Sequence, residues 1–108
     1  MPGVTQTVYS TRFLALQGLS GSQSYPCPFG YRLVLRDLDA WYVGLFDNTV
    51  HLVGSSGQAI WGNGFTGGGT LNYASWRGRQ IIEYGESFSV NASQPTDVTV
   101  SGYLLLLP

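Results

Sequence analysis

Gly62, Gly64 and Gly67 in "WGNGFTGGGT" (residues 61–70) form a G-x-G-x-x-G. That spacing can wrap a dinucleotide pyrophosphate. It works only between a strand and a helix N-terminus, because the helix end supplies free N–H groups and partial positive charge. After Gly67 comes "GGTLNYASW", a poor helix start and a good strand, and Glu86, the next acid but one, falls in a predicted turn. The stretch therefore reads as a glycine-rich connection between strands. Phe65 would sit on an adaptable loop tip, where an exposed ring can plug a neighbour's pocket.

The other chemically suggestive residues are equally short of partners. Asp37 and Asp39 in "DLD" share one strand face, but a Ca²⁺ site needs six to eight oxygens and a glycosidase needs two acids across a cleft. A salt bridge to an arginine, within the chain or across a subunit boundary, is the expected use. In "WRGR", Trp76 with Arg77 and Arg79 could grip phosphate or sugar; ion pairing with Glu83 and Glu86 is the plainer expectation. Cys27 stands alone between prolines, so no internal disulfide is possible, and it reads as a buried or half-buried structural thiol. The single histidine, His51, makes neither a metal site nor a Cys–His nucleophile with an orienting third group. The sequon "NAS" (91–93) means little without a secretion signal. The expectation is no enzyme, no cofactor and no metal; a small hydrolase using Asp37, Asp39 or Glu83 ranks third among the functions considered.

Composition bounds the alternatives. The 108 residues suit one domain, 1–108, with 1–6 as an N-terminal arm. Only 10% of residues are charged, with five Arg, no Lys and six acids, for a net charge of −1. Such a balance offers no attraction to phosphate backbones, so nucleic acid is not an expected partner. It also gives a free monomer little colloidal protection. Three Trp, seven Tyr and five Phe are more rings than a small core holds. Low charge, absent Lys and surplus aromatics favour a surface covered by partners. "MPGVTQTVYS" does not read as a signal peptide, and "YLLLLP" is too short to span a bilayer. Synthesis in a host cytoplasm without membrane anchorage is the expectation.

The elements that must position these residues are strands. Short apolar or alternating runs occur at 7–16, 31–43, 49–53, 58–61, 70–76, 79–84, 87–92 and 97–107. They are rich in β-branched and aromatic residues and separated by "FDN", "GSSG", "GNG", "GGG", "YGE" and "SQPT". Residues 17–28 read as a long loop. In 31–43, Leu33 and Leu35 alternate with Arg32 and Arg36; beyond Leu35 the phase changes to Leu38, Ala40 and Tyr42, which predicts a β-bulge or a sheet-switching bend near Arg36. About eight short strands without an amphipathic helix point to an antiparallel sandwich or barrel, and the overall expectation is an all-β, antiparallel, jelly-roll-like β-sandwich.

Two resemblances bear on function. "VSGYLLLLP" (100–108) resembles the closing strand of the trimeric jelly rolls of the tumour necrosis factor and complement globular-head type. More broadly, "VYSTRF", the P-x-G-Y-x-x-x-x-R-D-x-D pattern from Pro28 to Asp39, "WRGR" with its apolar pair (Trp76 to Ile82), "GESFSV" (Gly85 to Val90) and "DVTVSGYL" (Asp97 to Leu104) are similar to segments of small virion proteins of tailed bacteriophages. The resemblance implies a structural virion component: a capsid decoration or minor capsid protein, or a tail or fibre module. The expected partners are itself, as a homotrimer, and a major capsid or tail protein. Expected subunit contacts are Trp41, Tyr42, Trp61 and the last strand, Tyr103, Leu104, Leu105, Leu106 and Leu107. Further partner contacts are assigned to Phe65, Trp76, Arg77 and Arg79. The rival function is a receptor- or carbohydrate-binding tail module with Trp61, Phe65 and Trp76 as a stacking platform.

Overall fold

The computed structural model describes residues 8–108; the expected arm at 1–6 lies outside them. Six antiparallel strands form among the described residues: β1 (Val8–Pro26), β2 (Tyr31–Tyr42), β3 (Asn48–Val53), β4 (Ala59–Phe65), β5 (Asn72–Ile82) and β6 (Ser87–Leu106). A 3-10 turn at Ser55–Gly57 is the one helical element among the described residues.

β1 and β6 are long because each serves two sheets. β6 pairs with β1 along most of its length. On its other edge, 89–92 pair with β3, and 97–106 pair with β2. Cutting β1 and β6 at this change of partner gives two four-stranded sheets. One, here the β3 sheet, runs β4-β3-β6-β1; the other, the β2 sheet, runs β5-β2-β6-β1. The eight segments so obtained pair first with last, second with seventh, and so inward to β3 with β4. That is a long hairpin rolled on itself, the jelly-roll arrangement of a β-sandwich.

The seam between the sheets has an identifiable chemistry. In β1 the register shifts between Leu16, Leu19 and Gly21, and Gly18 and Gly21 take positive φ, which a residue without Cβ adopts freely. In β6 the corner is tied from inside by Asn48, which is buried. Its Nδ2 donates to Thr96 Oγ1 (2.7 Å), and its Oδ1 accepts from Ser93 Oγ (2.9 Å) and the Gln94 N–H (3.0 Å). Thr96 Oγ1 donates in turn to the Gln94 carbonyl at 2.6 Å. Asn48 and Thr96 are the buried members of this knot, and their side-chain polar atoms are all partnered, as burial requires.

Between the sheets lies the core. Leu33, Leu35, Leu38, Ala40, Val98 and Val100 face inward from the β2 sheet; Val50, Leu52, Phe88 and Val90 face them. Phe13, Tyr25 and Phe88 form a ring cluster with centroids 5.3–6.1 Å apart. Tyr42 stacks on Phe65 at 5.9 Å. Each fully buried Leu, Val or Phe contributes roughly 1.5–3 kcal/mol. The phase change in β2 is a bulge: Leu35 faces Gly102 and Asp37 faces Ser101, so Arg36 has no opposite on β6. This is where the sequence pattern places it. Gly102 is required there, because a Cβ would fall on the Val34 carbonyl oxygen.

Several sequence expectations are corrected. Residues 17–26 belong to β1, whose second half is paired with β6. "GNG" lies inside β4, where Gly62 sits opposite His51 and beneath its ring. Runs 70–76 and 79–84 are joined in a single strand, β5, which pairs with β2 from Asn72 to Ile82; the Trp76 ring lies across Gly78 and occupies the space of its absent side chain. Runs 87–92 and 97–107 are likewise one strand, β6. Phe65 is in the core at the end of β4, not on a loop tip, and Tyr42 is 3% exposed. Both rings are buried in the isolated chain.

Candidate functional site

The register of the β2 sheet decides which side chains share its outer face. Across β1, β6, β2 and β5, one row reads Arg12, Ser101, Asp37, Arg77; the next reads Ala15, Thr99, Asp39, Ser75; and the row toward the end of β2 holds Asp97, Trp41 and Tyr73. Alternation of the strands produces these rows directly, since partners in register point to the same side.

Arg77 organises the middle of this face. Its Nη2 donates to Asp39 Oδ1 at 2.8 Å, and its Nε lies 3.3 Å from Asp37 Oδ1. Its Nη1 donates to the carbonyls of Leu38 and Trp76. Tyr73 OH adds a 2.6 Å bond to Asp39 Oδ1. Partial burial pushes the Asp39 carboxyl up, but the bonds from Tyr73 and Arg77 and the nearby guanidinium charge outweigh it, so the net shift is downward. Both carboxylates are thus anchored by an arginine, and of the two expected arrangements, within the chain or across a subunit boundary, these bridges lie within the chain. Arg12 and Arg36 have no ion-pair partner among the described residues.

These side chains border an open trough of about 650 Å³, walled by Arg12 on one side and by Arg36, Asp37 and Asp39 on the other. Its floor is β6, with Thr99, Ser101 and Gly102. A second hollow of about 500 Å³ shares Arg12 and Thr99 and continues to Trp41 and Asp97. Asp97 Oδ1 accepts from the Gly18 N–H at 2.9 Å.

The outer face of the β3 sheet differs in kind. Ser22, Asn91, His51 and Gly62 form one of its rows, and Ser24, Ser89 and Val53 another. No Arg, Asp or Glu occurs in β3, in β4, in residues 13–26 of β1 or in 87–96 of β6.

The ends of the sandwich are apolar. At the end of β2, Val43, Leu45, Phe46 and Leu71 are exposed beside a Trp41–Tyr73 ring pair with centroids 5.3 Å apart. Their loops are tied together by hydrogen bonds. Gly68 and Gly69 donate to the Gly44 carbonyl (3.0 and 2.8 Å), Gly67 N–H donates to Asp47 Oδ1 (2.8 Å), and Tyr42 OH donates to the Phe46 carbonyl. The third glycine of the apparent nucleotide fingerprint therefore locks two loops together, and no helix follows it. At the opposite end Phe29 meets Tyr84 edge-on at 5.2 Å, with Ile81 and Leu106 exposed nearby.

Of the residues singled out from sequence, Trp41 is exposed, whereas Trp61 and Trp76 are half-buried and pack on the core. The three proposed platform residues Trp61, Phe65 and Trp76 therefore form no exposed stacking surface. Tyr103 lines the trough, Leu104 packs on the core, Leu105 and Leu107 are half-buried, and Leu106 is exposed. Arg77 and Arg79 are exposed on β5. Glu83 answers Arg32 in a bidentate bond (2.6 and 3.1 Å), and Glu86 caps the turn through the Glu83 N–H, so neither serves the arginines of "WRGR". Glu83, beside Arg32, lies five residues along β2 from Asp37, about 16 Å at strand rise. Cys27 is buried, with Sγ donating to the Tyr31 carbonyl at 3.2 Å; burial pushes its thiol up, so it is a structural thiol. Among the described residues no group of three or more His, Cys, Asp or Glu could hold a metal ion, and no helix is long and apolar enough to cross a membrane.

Sequence reasoning missed Arg12 and Arg36 as a pair, and it missed Phe29, Leu45, Phe46 and Leu71. Their signal was present: apolar residues inside turn stretches such as "PFG" and "VGLF", where nothing is left to bury them.

No family model matches the chain, and no curated relative matches it. Among solved structures it is similar to a chain in "Structure of infectious bursal disease virus Gx strain", at 12% identity and a TM-score of 0.36. The match covers 94% of this chain and 32% of that one, so this chain spans about a third of its length. A likeness this slight carries no functional argument.

Proposed function

We propose that this chain is a structural protein of a virus particle, an adhesive jelly roll that trimerises and clamps neighbouring shell subunits as a decoration or minor capsid component. One observation carries the reading. The outer face of the β3 sheet has no formally charged residue, and it is bounded by β4, an edge strand paired, among the described residues, only with β3. Soluble monomers guard such faces and edges with charge or proline. Here neighbours supply the cover. The exposed apolar ends, with Phe29 at 85% and Leu45 at 78%, provide further contact area of the kind found in the centre of interfaces. A standard interface buries roughly 1,600 Å² in total, within reach of a sandwich of this size.

The reading draws further support from the sequence resemblance to virion proteins of tailed bacteriophages, and jelly rolls recur in capsid and lectin domains alike. Its partners are copies of itself and a major capsid or tail protein, its location is the particle, and it assigns the chain no catalysis. Sedimentation equilibrium of the purified chain tests it. A trimer mass that grows in with concentration is expected; a monomer that stays well behaved at high concentration contradicts the trimer.

A further inference from the structure

We propose that the trough on the outer face of the β2 sheet binds an acidic oligosaccharide, a chain of sugars carrying carboxylates. This goes beyond the assembly role and does not depend on it.

The trough's dimensions fit one extended chain. Its floor is a single strand, β6, and its walls are the neighbours β1 and β2, so it is about two strand spacings, roughly 10 Å, across. From Asp97 to Tyr103 it runs about 20 Å at strand rise. A peptide adding a strand would need free backbone groups, but β6 is paired on both sides there. Recognition must come from side chains, and those present are hydroxyls, carboxylates and guanidiniums. The hydroxyls of Thr99 and Ser101 can donate and accept, as a polyol requires. Trp41, exposed at the end of the trough, offers a ring face for stacking.

The charge preference follows from which groups are already satisfied. Asp37 and Asp39 are held by Arg77, and Asp97 by the Gly18 N–H. Arg12 and Arg36 stand on opposite walls with no ion-pair partner among the described residues. The three arginines and three aspartates around the trough balance in formal charge, so the preference is local: of these arginines, Arg12 and Arg36 are the two left exposed without an ion pair among the described residues, and a guanidinium fork suits a carboxylate in two parallel bonds. A chain whose acids are spaced along a hydroxyl-rich backbone meets both demands.

Titration calorimetry of the full chain decides the matter. The probes are oligogalacturonate, oligomannuronate and sialyllactose, each paired with its methyl ester, and oligothymidylate as a phosphate polymer. At least one acid is expected to bind saturably, with its ester at least about tenfold weaker. Arg12→Ala and Arg36→Ala should each weaken the acid about tenfold, and Arg12→Lys less, because a point charge keeps attraction but loses the fork. Arg32→Ala, at the far end of β2, should leave binding unchanged. Should Arg36→Ala fail to fold, the two Arg12 variants decide. The proposal is overturned if no acid saturates at millimolar concentration, if acid and ester bind alike, if Arg12→Ala and Arg32→Ala weaken binding equally, or if oligothymidylate binds as well as the sugar acid. None of these results depends on whether the chain is a trimer.

Discussion

The two sheets of this sandwich share β1 and β6 yet present opposite chemistry to the outside. The β2 sheet displays Arg12, Arg36, Asp37, Asp39, Arg77 and Asp97, arranged so that one arginine anchors two carboxylates. The β3 sheet displays Ser22, Ser24, Ser89, Asn91 and His51, and nothing formally charged. The same two strands change character as they cross the seam: β6 reads "SFSVNASQ" on one side and "DVTVSGYL" on the other. An inward face needs only apolar alternation, and both halves supply it. The outward faces are therefore free to differ, and that difference is where function is written. In the proposed reading the charged face selects a ligand and the bare face is covered by neighbours.

The comparison can be broken by substitutions matched between the sheets. The largest expected effect is at Gly102 in the β2 sheet, where a Cβ would overlap the Val34 carbonyl oxygen, a backbone atom that cannot step aside. Gly102→Ala should cost about 3 kcal/mol or more. Gly64 in the β3 sheet has open space around its Cβ position; Gly64→Ala should stay within about 0.5 kcal/mol. Urea unfolding of the two variants checks the contrast, and equal costs would mean that the bulge does not constrain the β2 sheet as described.

Next in size is the seam. Asn48→Ala removes the acceptor of Ser93 Oγ and of the Gln94 N–H, and the donor to Thr96. Leaving buried polar groups unmet should cost about 2 kcal/mol, again readable by urea unfolding. The difference between the sheets would survive, but their relative orientation would loosen.

The smallest effect sharpens the charged side. Asp39 has a lowered value in the folded chain, so its contribution is present at neutral pH and is lost as pH falls below about 4 toward the folded value, where the unfolded chain takes up its proton first. Tyr73→Phe should shrink this acid-side loss slightly, because one bond to the carboxylate disappears. Cys27 runs the other way. Its raised value makes stability fall as pH rises past the ordinary thiol range, and a thiol-reactive disulfide reagent should modify it slowly until the chain unfolds.

Local alternation carried most of the fold. The bulge at Arg36 was legible because Leu33 and Leu35 are out of phase with Leu38 and Ala40, and a one-residue slip is the cheapest way to bury both sets. The continuation of β1 through "QGLSGSQSYP" was not legible. Its serines and glycines look like loop because the face they line is uncharged and its partner strand lies far away in sequence. Of the candidate site, the anchoring of Asp37 and Asp39 by an arginine could be foreseen from charge alone. The trough could not, since Arg12, Arg36 and Thr99 come from three strands whose adjacency depends on the rolled topology.

The central claim is that the uncharged β3 sheet exists to be covered. It is tested most directly by sedimentation equilibrium of two charge insertions, Asn91→Glu on the β3 sheet and Ser75→Glu on the β2 sheet, beside the unaltered chain. The account predicts a trimer for the unaltered chain and for Ser75→Glu, and a folded monomer for Asn91→Glu. A monomer in all three, or a trimer indifferent to Asn91→Glu, would contradict it.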